Sequence, residues 1–169
     1  MFILRRLIME RSIKLFVLAG TQRFPFGRLI TALNQLVESG LYMPEEIVMQ
    51  ASVFPIEPLF AHDSYIPKEE FDGYLDEAEV IITHGGVNSI MAPMELGKPL
   101  VIVPRMKRYG EHIDDHQLEI AEMMEKRYDV TVVRDMAQLP EAIRRARTHR
   151  YKPWVSHTAE LIQYIKSIL

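Results

Sequence analysis

A doubly wound α/β domain built on a parallel sheet is the fold this sequence predicts. Three observations carry it. Apolar runs and helical stretches alternate along the chain. Several of those runs, such as Val80-Ile81-Ile82 and Leu100 to Val103, lack polar alternation, as strands buried on both faces require. Finally, Thr83 to Pro104, THGGVNSIMAPMELGKPLVIVP, reads as strand end, glycine turn, helix closed by Gly97 and Pro99, and second strand. That is a βαβ unit of about 25 to 30 residues.

Each element has its own signal. Lys14 to Ala19 is a β-rich run ending at Gly20-Thr21. Phe26 to Ser39 places Phe26, Leu29, Ile30, Leu33, Leu36 and Val37 at helical spacing and is closed by Gly40. Glu46 to Gln50 reads as a short strand. Residues 52–67 hold three prolines, Pro55, Pro58 and Pro67, which resist a helix, and Ser64 to Ile66 reads as a strand. Lys68 to Glu77 is a polar helix, followed by strand Val80–Thr83, helix Asn88–Leu96 and strand Leu100–Val103. Pro93 falls inside that helix and predicts a kink or a later start. Arg105 to Gly110 is a basic loop, Glu111 to Arg127 a long amphipathic helix, and Val130–Val133 a strand. Met136 to Thr148 is a helix with Pro140 near its first turn. Tyr151 to Pro153 links to a last helix, Ser156 to Leu169. Trp154, just before it, and Thr158, Leu161, Ile162, Ile165, Ile168 and Leu169 fall near one stripe, fit for the chain's own sheet or for a partner.

The chain has 169 residues, 48% of them hydrophobic, enough for one domain with a real core. It has no cysteine, which excludes a disulfide framework and a thiolate metal site and fits a reducing cytoplasm. A net charge of −3 gives no sign of a nucleic-acid binder. No run approaches the ~18 apolar residues of a membrane span. At the N-terminus, MFILRRLIMERS puts apolar residues before the basic pair, the wrong order for a signal peptide. Residues 1–13 read as an extension, with Met9 as a second candidate start. They would form a frayed tail or an added helix turn, or a basic–apolar contact with a membrane surface.

In a doubly wound sheet, ligands bind outside the carboxyl ends of the strands. Gly20-Thr21-Gln22, His84-Gly85-Gly86 and Arg105 to His116 all follow strands, so they should gather on one edge. Glycines there let backbone N–H groups approach a ligand, and a helix start adds unpaired donors and partial positive charge. Thr21 and Ser89 can donate hydroxyl hydrogen bonds, whereas Asn88 is equally suited to capping its helix. These features suit a phosphate, although each glycine turn alone is an ordinary βα turn. There is no G-x-x-x-x-G-K-[ST], G-x-G-x-x-G or G-x-S-x-G. His112 and His116, four apart, allow a metal reading together with His84, ranked well below polar ligand binding. Arg105, Lys107 and Arg108 read as a solvated loop or as an attractor for an anionic ligand or membrane.

Taken jointly, the G-T-x start, the T-H-G-G turn, G-K-P-x-x-x-x-P-R and G-E-H-x-x-D-H-Q resemble the C-terminal, donor-binding half of glycosyltransferase family 28. The likeness is closer still to its small stand-alone subgroup. That subgroup holds the PssE-like proteins of exopolysaccharide synthesis and the catalytic subunit of the two-part dolichol-linked N-acetylglucosaminyltransferase. The resemblance covers roughly residues 14–128. It implies one Rossmann-like half of a GT-B enzyme acting with a separate, membrane-anchored subunit that binds the acceptor. The implied function is an inverting, metal-independent hexosyltransferase without a cofactor. It would move a sugar from a UDP-sugar donor to a polyprenyl-linked acceptor in exopolysaccharide or glycan synthesis, at the inner face of the cytoplasmic membrane.

Carried over by motif, Gly20, Thr21 and Gln22 would lie near the pyrophosphate with His84, Gly85, Gly86, Asn88 and Ser89, while His116 and Gln117 would contact the donor sugar. His84 is the local candidate for a charge-stabilising role, and a structural histidine at the turn is its plainer reading. Many relatives carry a ribose-binding glutamate where this chain has Ala92. Glu95, one turn on, is the candidate substitute, and the exopolysaccharide subgroup often lacks that glutamate too. The expected division is residues 1–13 as extension, 14–150 as nucleotide-sugar-binding domain, and 151–169 as C-terminal helix and partner contact. The alternative is a non-catalytic accessory protein that activates or stabilises a partner transferase.

Overall fold

A computed structural model describes residues 12–154. Six strands form one sheet: β1 (Leu15–Leu18), β2 (Ile47–Gln50), β3 (Ala61–Asp63), β4 (Val80–Thr83), β5 (Leu100–Ile102) and β6 (Thr131–Val132). Among the described residues five helices connect or flank them: α1 (Gly27–Glu38), α2 (Lys68–Glu77), α3 (Val87–Glu95), α4 (His116–Tyr128) and α5 (Leu139–Ala146). The order across the sheet is β3-β2-β1-β4-β5-β6. Every pairing is parallel, with Leu15 opposite both Ile47 and Val80. The chain winds outward from β1 to β3, returns to the middle, and winds out the other way. The strands of β1 and β4 therefore diverge in their connections, which opens a crevice at their carboxyl ends.

The unbroken apolar strands are explained by two cores. Leu15 and Val17 point to one face, with Phe26, Leu29, Leu33 and Leu36 of the α1 segment and Leu139 and Ile143 of α5. Phe16 and Leu18 point to the other, with Leu75 of α2, Ile90 and Met94 of α3, and Ala121 and Met124 of α4. A strand covered on both sides cannot carry a polar alternate.

Several boundaries differ from expectation. The strand expected at Ser64–Ile66 is Ala61–Asp63 instead. Asp63 Oδ1 accepts the Tyr65 amide at 3.1 Å, a local turn that ends the strand. Pro93 does not delay α3, which starts at Val87; it sits in the last turn with its ring buried. The helix expected from Glu111 begins at His116. Glu111 is drawn inward, and the intervening residues form a loop. The stretch from Met136 divides into a 3-10 turn, Met136–Gln138, and α5. The Tyr151–Pro153 link is anchored, since the Tyr151 hydroxyl donates to Lys98 O at 2.8 Å and Lys152 N to Tyr128 O at 2.7 Å. Trp154 packs against the Tyr128 ring at 5.3 Å, and the rest of the predicted C-terminal stripe lies outside the described residues. Among the described residues no helix is long and apolar enough to cross a membrane.

Candidate functional site

At the carboxyl ends of β1, β2 and β4 lies an open cleft of about 540 Å³. Gly20, Thr21, Gln22, His84, Gly86, Asn88, Ser89 and Gln117 line it, so most of the predicted site residues meet there. Leu18, Gln50, Phe71, Val87 and Ala92 complete the wall.

His84 is the floor, and the glycines are arranged around it. A Cβ on Gly20 would come within 2.5 Å of His84 Nε2, and one on Gly86 would overlap Cε1. Both glycines thus make room for the imidazole, where the sequence suggested room for a ligand. Gly20 also has φ +82°, a left-handed backbone that favours glycine. Gly85, at φ +95°, does not line the cleft: a Cβ there would press on Gln117 O at 3.2 Å, so its smallness seats the start of α4. His84 Nδ1 lies 3.2 Å from Gln117 Oε1. With that oxygen accepting, Nδ1 carries the proton and Nε2 is left as an acceptor. Burial lowers the His84 pKa to about 4, with Arg105 and His112 adding to the effect and the Gln117 bond opposing it. The ring is neutral at physiological pH.

Two helix starts converge on this floor. Gly86 is the N-cap of α3 and offers no side-chain cap. The first amides of α3, at Val87, Asn88 and Ser89, therefore retain donor capacity beside the cleft. Asn88 lies in the first turn and is not the cap. The Ser89 hydroxyl is already engaged, donating to Gly86 O at 2.8 Å and accepting from Thr83 Oγ1 at 2.7 Å, which stiffens the turn. Gln117, buried at the start of α4, bridges to His84. His116 is largely exposed and does not line the cleft; its ring lies 3.7 Å from Glu119. Glu95 is not brought to the cleft either. It sits at the far end of α3, on the wall of a separate pocket with Leu96 and Trp154. One helical turn carries Glu95 away from the β4 end at which Ala92 lies.

The sequence reading missed Gln50 and Phe71 at the cleft wall. Gln50 Oε1 is buried without a hydrogen-bond partner, and the alternation of a short strand gives no hint of that. It also misread one residue of the basic loop: Lys107 and Arg108 are exposed, as a solvated loop requires, but Arg105 is 2% exposed and, like Glu111 beyond the loop at 2%, belongs to the interior. Arg28 Nε donates to Glu111 Oε1 at 2.7 Å, and the Met106 amide donates to Glu111 Oε2 at 3.0 Å. His112 holds Gln22 Oε1 through Nε2 at 2.9 Å and Asp114 Oδ1 through Nδ1 at 2.8 Å. Both its nitrogens are occupied by loop contacts, and among the described residues no three His, Asp or Glu side chains gather to hold a metal.

The chain matches the glycosyltransferase family 28 C-terminal domain over residues 14–163. It is similar to the UDP-N-acetylglucosamine transferase subunit ALG13 of Homo sapiens, 34% identical over 67 residues, which are 40% of this chain and 6% of that protein. The same subunit of Candida albicans is 36% identical over 67 residues, 40% of this chain and 20% of the relative. The aligned stretch thus spans a minor part of these relatives. Among solved structures, the ALG13 solution structure superposes with a TM-score of 0.55 at 18% identity, covering 92% of this chain and 96% of that one. The calicheamicin glycosyltransferase CalG4 gives 0.54 at 18% identity, covering 82% of this chain and 34% of its own. These likenesses show the fold, that of a Rossmann-like domain of GT-B glycosyltransferases. By its match over most of its length, the chain belongs to the glycosyltransferase family 28 C-terminal domain family.

Proposed function

We propose that this chain is the donor-binding subunit of a two-component inverting glycosyltransferase. It takes a UDP-sugar and, with a membrane-anchored acceptor-binding subunit, transfers the sugar to a polyprenyl-linked acceptor in exopolysaccharide or glycan synthesis. The observation that carries this reading is the cleft at the β1/β4 switch point, where the uncapped start of α3 and the glycine turns surround His84. Such a site stabilises a departing nucleoside diphosphate by fixed backbone dipoles that need no reorganisation when charge develops. The neutral His84 offers Nε2 as an acceptor for a ligand hydroxyl. An incoming diphosphate would raise its pKa and favour the imidazolium. The general base that activates the acceptor is assigned to the partner, as is recruitment to the inner face of the cytoplasmic membrane. Residues 151–169 are the proposed partner contact.

Calorimetric titration with UDP, GDP and ADP tests the donor site; the expected result is binding of UDP in preference to the others. Absence of UDP binding, with the partner present, would refute the proposal. Transfer from radiolabelled UDP-sugars is expected only when partner-containing membranes are added. Robust transfer by the purified chain alone would refute the two-component arrangement. Binding without transfer in the complete system would favour the accessory role.

A further inference from the structure

The Gly20–Gln22 turn forms one lip of the cleft, yet Thr21, Gln22 and Arg23 are exposed and no core packing fixes them. What holds the turn is a guanidinium beneath it. Arg105 donates from Nη2 to Ala19 O at 2.5 Å and from Nη1 to Phe24 O at 2.7 Å, the residues on either side of the turn. Nη1 also meets Glu111 O at 3.3 Å, and the guanidinium lies 5.1 Å from the centre of the Phe26 ring. One planar fork therefore ties three backbone segments that no shared strand connects. A lysine ammonium, a compact and strongly hydrated point charge, would not reproduce that geometry and would shed its proton on burial. At the tip of the same turn, His112 holds Gln22 from outside. His112 follows Glu111 directly, so both ties come from one loop.

We propose that Arg105 is a positioning residue for the cleft, clamping the Gly20–Gln22 turn at both ends while His112 ties its tip. Charge adds to geometry. Glu111 is paired with Arg28 and with the Met106 amide, so Arg105 has no carboxylate of its own. Arg28, Arg105 and Glu111 together leave one positive charge buried under the turn. That charge favours an anion on the cleft side of the lip. This inference rests on the reading of the cleft as a donor site, and its test separates the two.

The experiment compares wild type with Arg105→Met, Arg105→Lys and His112→Ala in the full chain, following the amide signals of Thr21 and Gln22 by NMR and UDP affinity by calorimetry. Arg105→Met is expected to displace or broaden both amide signals and to weaken UDP on the order of tenfold or more, as a shift in a ligand-facing element does. It should also raise the His84 titration midpoint, because a nearby positive charge is gone. Arg105→Lys is expected to lose affinity as well and to raise the midpoint too, because a lysine buried there sheds its proton. A folded Arg105→Met chain with unmoved loop signals and unchanged UDP affinity would overturn the proposal. Where Arg105→Met does not fold, His112→Ala decides: a several-fold loss of UDP affinity supports the clamp, and unchanged affinity overturns it. If wild type binds no UDP, the donor reading fails, and the loop signals of the ligand-free variants alone decide whether the clamp stands.

Discussion

At the residue scale, His84 couples the site to stability. Its folded pKa is about 4 against 6.5 in a free histidine, so as pH falls the unfolded chain takes the proton first. The stabilisation from keeping the ring neutral is complete above pH 6.5 and is lost progressively down to about pH 4. A shift of that size corresponds to about 3 kcal/mol. Urea unfolding of wild type and His84→Gln between these limits is expected to show this slope in the first and its absence in the second. The glycines give a second test. Gly86→Ala is expected to cost about 1–3 kcal/mol through overlap with the imidazole. In a His84→Ala background that cost should largely vanish, and a double-mutant cycle measures the difference. Purely additive costs would mean that Gly86 serves something other than the ring. Both glycines were visible in the sequence as turn residues at strand ends. Their actual reason was not, because nothing in a linear pattern says that the nearest crowding atom belongs to His84.

At the element scale, the loop between β5 and α4 shows where sequence reading stops. Glu111, Asp114 and Asp115 resemble the acidic first turn of a helix. In the structure each carboxylate is spent on a specific partner. Glu111 meets Arg28 and the Met106 amide, Asp114 the His116 amide at 3.1 Å, and Asp115 the Lys107 amide at 2.9 Å. A helix from Glu111 would compete with these contacts, and Arg28 would lose its buried counter-ion. Glu111→Ala is therefore expected to cost about 2–4 kcal/mol, since it leaves the partly buried Arg28 guanidinium without its carboxylate and the Met106 amide without its acceptor. Chemical denaturation measures it, and a cost below about 1 kcal/mol would place the pair effectively in solvent. The central strands were legible because burial on both faces forces continuous apolar runs. The edge strand β3, Ala61-His62-Asp63, was not, because two half-buried residues and an exposed one form it and no apolar run marks it.

At the scale of the whole molecule, the sheet presents its cleft to one side while the two cores lie behind it, so ligand-facing changes and stability are separable except at His84, its glycines and Arg105. The order β3-β2-β1-β4-β5-β6 has a consequence for how the chain acquires its shape. No two neighbouring strands form a hairpin. The central strand β1 waits for β4, with Leu15 meeting Val80 only after two other strands and two helices have been laid down between them. Closing so long a loop costs entropy before any contact repays it, which slows folding. Refolding in the millisecond-to-second range is the expected stopped-flow result. Val17→Ala and Ile82→Ala, at the β1–β4 seam, should slow it, whereas Val132→Ala at the sheet edge should mainly speed unfolding. During synthesis the same geometry leaves β1 with an unpaired edge until β4 leaves the ribosome. For that interval a wholly apolar strand, Leu15–Leu18, stands open to a chaperone or to a wrong partner.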